Sequence, residues 1–166
     1  MQPDQRILIV DDKQTILTLL ADALESQGYQ VEKASSAEAA LRACAETEFA
    51  LALIDLKIPG AMDGIGLLTE IRRQRPQTVL IVLTGYATLD SAIAALRQGA
   101  HDYLVKPIGM AQLIQSVQSG LAKKDEETRR QELIAHLEGT LHELKRTSAP
   151  SAAELPDRFV RTFHAS

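Results

Sequence analysis

Four short apolar segments of the chain each end at a residue that can bind a cation or a phosphoryl group. The first segment ends at Asp11 and Asp12, the second at Asp55, the third at Thr84 and the last at Lys106. Mg²⁺ prefers oxygen ligands such as carboxylates, and a lysine ammonium can hold a phosphate oxygen as a point charge. These residue types indicate a site for a divalent cation and a phosphoryl group.

Parallel β-strands are the elements that would bring these side chains together. The apolar segments are rich in β-branched residues and show no polar alternation, which is typical of strands buried on both faces. They cover residues 6–10, 50–54, 79–83 and 103–105. In an open α/β sheet the ligand site lies beyond the carboxyl ends of the strands. We therefore expect all four ends to meet there.

Helical periodicity separates the strands along residues 5–122. Helices are predicted at 16–24, 37–45, 65–74 and 90–97 and from about Met110, with a further short strand at 29–32. Ser36 stands where an N-cap is expected, and Gly28, Pro76 and Gly99 stand where helices end. This alternation predicts right-handed crossovers and a parallel sheet with helices on both faces.

The remainder of the chain has a different composition. Residues 123–146 are highly charged and carry apolar residues at 3-4-3 spacing, namely Ile134, Leu137, Leu141 and Leu144. This spacing indicates two heptads of a coiled-coil seam, fewer than a firm assignment needs. A helix that self-associates, one that packs on its own domain and one that binds another partner all remain open. Residues 147–166 are expected to be a flexible tail.

Composition excludes several classes of protein. No stretch of the sequence is apolar enough to span a membrane, and the amino terminus does not resemble a signal peptide, so a cytoplasmic location is expected. Cys44 is the only cysteine, which excludes an internal disulfide. Residues 110–166 hold 8 Lys/Arg against 8 Asp/Glu. This lack of a basic excess argues against nucleic-acid binding.

The acidic residues suit phosphoryl transfer. Asp11 and Asp12 repel one another unless a cation offsets them. A carboxylate can act as a nucleophile toward phosphorus, and the transfer needs little beyond alignment and charge neutralisation. The first strand is followed by acids and not by the glycine-rich loop of nucleotide-binding proteins, which disfavours nucleotides. The four histidines lack metal-ligand spacing, so a zinc site is not expected.

Residues 5 to about 122 resemble the receiver domain of two-component response regulators. The motifs that carry the resemblance are Ile-Val-Asp-Asp at 9–12, Ile-Asp-Leu-Lys-Ile-Pro-Gly at 54–60, Leu-Thr-Gly-Tyr at 83–86 and Ala-His-Asp-Tyr-Leu-Val-Lys-Pro at 100–107. The resemblance implies a doubly wound, flavodoxin-like sheet of five parallel strands in the order 2-1-3-4-5, here with a C-terminal helical extension.

The resemblance also implies the partner, the cofactor and the role of each site residue. A sensor histidine kinase or a phosphotransfer protein would donate the phosphoryl group to Asp55 in a phosphorelay. Asp11, Asp12, Asp55 and the backbone carbonyl of Lys57 would hold Mg²⁺, or Mn²⁺ in its place. The protein would catalyse only its own phosphorylation and dephosphorylation, and would not be an enzyme acting on other substrates.

In such a domain, Lys106 and Thr84 would hold the phosphoryl oxygens, and the Lys106–Pro107 peptide bond would be cis. Thr84 would then move toward the phosphate while Tyr103 turns inward. The face formed by the fourth helix, the fifth strand and the fifth helix would change its preference for partners, with a homodimer as the expected assembly. This is a population shift driven by a new dianion.

Two features depart from the family pattern. Gly64 stands nine residues after Asp55, where the family has eight, so the intervening loop is one residue longer. Lys57 and Tyr86, two residues beyond Asp55 and Thr84, are both bulky and would flank the approach of hydrolytic water. We therefore expect the phosphorylated state to decay slowly.

Two other functions fit parts of the pattern. Metal-dependent phosphohydrolases with an aspartyl nucleophile place two acids two residues apart on the first strand and need a cap, whereas Asp11 and Asp12 are adjacent and no cap insertion is present. The chain could also be the receiver part of a longer transcription regulator, although it carries no basic helix-turn-helix.

Overall fold

The computed structural model describes residues 5–147, in which strands and helices alternate. The elements are β1 (Arg6–Val10), α1 (Gln14–Glu25), β2 (Gln30–Ala34), α2 (Ala37–Glu46), β3 (Leu51–Ile54), α3 (Gly64–Gln74), β4 (Val79–Thr84), α4 (Leu89–Arg97), β5 (Asp102–Val105) and α5 (Met110–Thr147). The strands form one parallel sheet in the order β2-β1-β3-β4-β5. The predicted fold class is therefore confirmed.

The core has two aliphatic layers, one on each face of the sheet. Alternate strand residues such as Leu8 and Ile54 pack with α2, α3 and α4, whereas their neighbours, such as Ile9 and Leu53, pack with α1 and α5. Each central strand is buried on both faces because helices cover both. This burial explains the continuous apolar segments in the sequence.

The backbone hydrogen bonds of the sheet continue one residue past the strand ends. The amide of Asp11 donates to the carbonyl of Ala34 at 3.1 Å, and the amide of Asp55 donates to the carbonyl of Val10 at 2.9 Å. Consequently Asp11 and Asp55, at the ends of adjacent strands, have backbones fixed by the sheet.

Some element boundaries differ from their predicted positions because of hydrogen bonds made in the folded chain. The short second strand was predicted at 29–32 but runs from Gln30 to Ala34, because it pairs in parallel along the whole of β1. Helix α4 begins at Leu89, one residue earlier than predicted, because Thr88 is its N-cap.

Helix α5 runs without a break for 38 residues, from Met110 to Thr147. A compact unit ends at Asp125, and the helix from Glu126 onward belongs to a second unit. In that second unit Leu133, Ile134, Leu137, Leu141 and Leu144 are 47–59% exposed. Apart from Thr147, the segment predicted to be a flexible tail lies outside the described residues. None of the helices in residues 5–147 has the length and hydropathy needed to cross a bilayer.

Candidate functional site

A lysine ammonium joins two buried carboxylates at the carboxyl edge of the sheet. Lys106 Nζ donates to Asp11 Oδ2 at 2.5 Å and to Asp55 Oδ2 at 3.0 Å. Burial lowers the pKa of the Lys106 ammonium, but its hydrogen bonds with Asp11 and Asp55 and their charges outweigh burial, so the pKa is raised. Lys106 therefore carries a firmly held positive charge beside both acids.

The loops fix the second oxygen of each carboxylate. Asp11 Oδ1 accepts a hydrogen bond from the backbone N–H of Lys13 at 2.9 Å, and Asp55 Oδ1 accepts one from the backbone N–H of Lys57 at 3.1 Å. Both are bonds from an aspartate to the backbone two residues further on, which is a common turn geometry for this residue. Each carboxylate is thus held by its own loop on one oxygen and by Lys106 on the other.

Asp12 completes a three-carboxylate cluster with Asp11 and Asp55. One carboxylate oxygen from each lies within 4.8 Å of the other two, and Asp12 is the exposed member. With Lys106, the cluster has a formal charge of minus two, which one divalent cation would neutralise. The oxygen donors match the ligands that Mg²⁺ prefers, so the residues present fit this ion.

Thr84 and Tyr103 lie on the two strands that follow β3 in the sheet: Thr84 ends β4, and Tyr103 lies in β5. Thr84 is fully buried at the end of β4, and its Oγ1 accepts a hydrogen bond from the amide of Tyr86 at 3.2 Å. Its carbonyl accepts a hydrogen bond from the amide of Lys106 at 2.9 Å, and the Lys106–Pro107 peptide bond is cis. The Tyr103 hydroxyl lies 2.7 Å from Ser91 Oγ in α4.

Lys57 and Tyr86 contact each other across two loops. Lys57 follows β3, Tyr86 follows β4, and Lys57 Nζ lies 4.0 Å from the centre of the Tyr86 ring. This is the geometry of a cation–π contact. The two bulky residues that the sequence places beside Asp55 and Thr84 therefore form a pair.

The long loop after β3 returns to the sheet at Gly64. The Gly64 amide donates to the carbonyl of Leu56 at 2.9 Å, and a Cβ at Gly64 would lie 2.3 Å from Leu56 Cα and 2.5 Å from the Asp55 carbonyl oxygen. Only glycine can make this approach without a shift of the backbone. Gly60, in the same loop, has φ +114°, a backbone conformation that favours glycine.

An apolar cavity of about 500 Å³ lies next to Lys106. Its lining includes Ile16, Leu19 and Leu20 from α1 and Ile108 from the segment after β5. Leu19 is 53% exposed. The charged site therefore borders an open apolar surface.

Ser91 was not among the site residues predicted from the sequence. A signal was present, because Thr88 and Ser91 have the spacing of an N-cap and the third residue of a helix, and both capping hydrogen bonds are made. The contact between Ser91 and Tyr103 has no such signal, because it joins residues from two separate elements.

Comparison with known proteins identifies the family of this chain. A family model described as the response regulator receiver domain matches residues 7–118, more than half of the chain. The regulatory protein AtoC of Escherichia coli is 38% identical over 116 residues, which cover 70% of this chain and 25% of AtoC. The photosynthetic apparatus regulatory protein RegA of Rhodobacter capsulatus is 38% identical over 104 residues, which cover 63% of this chain and 56% of RegA.

Solved structures give the same result. A CheY-like response regulator receiver domain protein from Methanospirillum hungatei superposes with a TM-score of 0.73 at 37% identity, covering 75% of this chain and 98% of that one. NtrX from Brucella abortus superposes with a TM-score of 0.74 at 30% identity, covering 78% of this chain and 30% of NtrX. The chain thus spans less than two thirds of several of these relatives. It belongs to the receiver domain family, and its homologues are the response regulators of two-component systems.

Proposed function

We propose that this protein is a phosphorylation-activated switch in which Asp55 accepts a phosphoryl group from a phosphohistidine. The donor would be a sensor histidine kinase or a phosphotransfer protein. The observation that carries the proposal is the Lys106 ammonium bound to both Asp11 and Asp55, with Asp12 completing a cation site. Asp11, Asp12, Asp55 and the Lys57 carbonyl would hold Mg²⁺, or Mn²⁺ in its place.

The transfer requires only alignment and charge neutralisation. A carboxylate oxygen of Asp55 forms a bond to phosphorus while the phosphorus–nitrogen bond of the donor breaks, and the imidazole leaves with the electron pair of that bond. Lys106 and the Thr84 hydroxyl would hold two phosphoryl oxygens. When bound, the divalent cation would supply the remaining neutralisation of the phosphoryl charge.

The donor would approach across the apolar cavity beside Lys106, because a protein surface that presents a histidine there could also cover Ile16 and Leu19. We expect Leu19→Glu to slow transfer from a protein phosphodonor while leaving uptake from acetyl phosphate unchanged. Equal slowing with both donors would show that Leu19 acts on the site and not on docking. The ratio of the two initial rates measures this.

The output would pass through the face formed by α4, β5 and α5. Leu89, Ile93 and Leu96 on α4 and Val105 on β5 are all large apolar residues that are 39–76% exposed. Such a surface supports binding of a partner or of a second copy. A phosphoryl dianion at Asp55 would shift the equilibrium between two conformations of this face, and Thr84 and Tyr103 would transmit the change.

We propose three regions with separate roles: a receiver at 5–122, a helix at 123–146 and a tail at 147–166. The exposed leucines and Ile134 of the helix support a homodimer through that segment, alone or together with the α4 face. A cytoplasmic location, without nucleic acid or membrane as a partner of this chain, completes the proposal.

The Lys57–Tyr86 contact supports a long-lived phosphorylated state. The pair would restrict the approach of water to the acyl phosphate. We expect a Lys57→Asn, Tyr86→Ala double variant to lose its phosphoryl group several-fold faster than the wild type, measured by intact mass after removal of the donor. Faster loss in the wild type would contradict this role.

Intact mass after incubation with acetyl phosphate and Mg²⁺ tests the proposed function. We expect one phosphoryl adduct that disappears with a chelator and in Asp55→Asn. Asp63→Asn is the matched control, because Asp63 is a helix N-cap on the same loop and asparagine also caps helices. Folded wild-type protein that forms no adduct, or forms it equally in Asp55→Asn, would contradict the proposal.

A further inference from the structure

We infer that Ser91 is a positioning residue of the switch, and that its hydroxyl holds Tyr103 in the resting state. The inference rests on the proposed function, because it concerns how a phosphoryl group at Asp55 changes α4. In this view, the Ser91 side chain links Tyr103 on β5 to the first turn of α4.

Ser91 Oγ lies within hydrogen-bonding distance of four polar atoms. The Tyr103 hydroxyl is at 2.7 Å, the Thr88 Oγ1 at 2.9 Å, the Thr88 carbonyl oxygen at 3.0 Å and the Thr88 amide nitrogen at 3.2 Å. Thr88 is the N-cap of α4, and its own Oγ1 accepts a hydrogen bond from the Ser91 amide at 3.1 Å. One oxygen thus serves both the helix cap and the tyrosine.

A serine hydroxyl can donate one hydrogen bond and accept two. If Ser91 donates to the Thr88 carbonyl, its two acceptor positions are used by the Thr88 amide and by the Tyr103 hydroxyl, which then must donate. Four neighbouring polar atoms therefore compete for the three hydrogen bonds that the Ser91 hydroxyl can make. Because the cap and the tyrosine depend on the same oxygen, the position of Tyr103 and the order of the first turn of α4 are coupled.

Apolar packing does little to hold α4 in place. Ala95 is its only buried residue, whereas Leu89 and Leu96 are 76% and 58% exposed. The bond between Ser91 and Tyr103 therefore ties this end of α4 to β5 where little apolar packing does so. A movement of Tyr103 away from Ser91 would break that tie.

A double-mutant cycle tests the coupling between the two side chains. The free energy of unfolding in urea would be measured for the wild type, Ser91→Ala, Tyr103→Phe and the double variant, each with and without Mg²⁺ and beryllium trifluoride as a phosphoryl mimic. In the resting state, we expect the two substitutions to be coupled by roughly 2- to 10-fold in the unfolding constant, the range of one hydrogen bond. With the mimic bound, we expect the coupling to vanish.

Asp90→Ala is the control variant, because it removes an acidic residue from the same first turn of α4 and leaves the Thr88 cap and both partners of the Ser91–Tyr103 bond in place. We expect it to destabilise the resting and mimic-bound proteins equally. A purely structural role of Ser91 would give the same coupling in both states, and that result would overturn the inference, as would an absence of coupling at rest. If the mimic stabilises no variant, the proposed phosphoryl site fails as well, and this outcome is distinguishable from the other two.

Discussion

Helices α3 and α4 are neighbours on the same face of the sheet, yet they are held by different forces. Helix α3 buries Leu67, Leu68 and Ile71, whereas α4 buries only Ala95. The loop that follows Asp55 leads into α3, and the loop that follows Thr84 leads into α4. The difference indicates that the acceptor side of the molecule is fixed by its core, while the output side can move at little energetic cost.

The same contrast holds among the site residues. Both oxygens of Asp11 and of Asp55 are hydrogen-bonded, and Lys106 connects the two carboxylates. Tyr103, in contrast, is half-buried, and its hydroxyl contacts Ser91 of α4. The acidic centre with Lys106 is therefore preformed, whereas Tyr103 and α4 beside it can adjust. This arrangement suits a switch in which the chemistry stays constant and the surface changes.

Truncation of one leucine on each helix gives the largest expected difference. We expect Leu68→Ala, at a fully buried position, to lower the free energy of unfolding by about 2–5 kcal/mol. Leu96→Ala, at a position that is 58% exposed, should lower it by less than about 1 kcal/mol. Urea denaturation of both variants measures the difference, and equal losses would show that α4 is packed as firmly as α3.

Replacement of Arg72, which joins α3 to the segment after α4, should lower stability by a smaller amount. Its guanidinium donates to the carbonyl oxygens of Gln98 at 3.2 Å and Gly99 at 3.0 Å, beyond the end of α4, and to that of Pro76 at 2.6 Å. We expect Arg72→Ala to lower stability by about 1–3 kcal/mol, because carbonyls that bond a charged group lose their partner.

Arg73→Ala is the matched control for Arg72. Arg73 is exposed, and within residues 5–147 its ion pair is with Glu70, three residues earlier in the same helix, so we expect no measurable loss of stability. A loss from Arg73→Ala as large as that from Arg72→Ala would show that the carbonyl contacts of Arg72 contribute nothing specific.

The pH dependence of stability gives the smallest effect. Burial raises the pKa of the Cys44 thiol above its ordinary value of 9.0; the charge of Arg75 lowers it in part and that of Glu32 raises it further. The folded state therefore favours the neutral thiol, and the stability this provides is present below pH 9 and lost as the pH rises through the folded pKa.

Consequently the stability difference between the wild type and Cys44→Ala should become smaller between pH 8 and pH 10, as measured by urea denaturation at each pH. A difference that stays constant or grows over this range would show that Cys44 is not in the tightly packed layer under α2 and α3.

The sequence was enough to predict the strands and the acidic centre with Lys106. It predicted the surroundings of Tyr103 and α4 only in part. Strand β1 and the cap Ser36 follow from local patterns, and the positions of Asp11, Asp55 and Lys106 follow from parallel pairing. The contacts from Lys57 to Tyr86 and from Ser91 to Tyr103 join separate elements. Such pairs depend on the course of loops and on side-chain rotamers, which hydrophobic periodicity does not encode.

Boundaries also differed where a non-local contact decided them. The second strand extends to Ala34 because β1 offers a pairing partner at every position up to Val10. The long loop after Asp55 was identified from the sequence, but its return to Gly64 depends on the close approach of Gly64 to the backbone of Leu56.

Hydrogen exchange of the whole chain, with and without acetyl phosphate and Mg²⁺, tests most directly the claim that a fixed centre acts on an adjustable helix. We expect a change in exchange at the amides of α4 and of the loop after Thr84, unchanged exchange at the amides of β1, β3 and α3, and no response in Asp55→Asn. A change spread evenly over α3 and α4, or none in a protein whose mass shows the phosphoryl adduct, would contradict it.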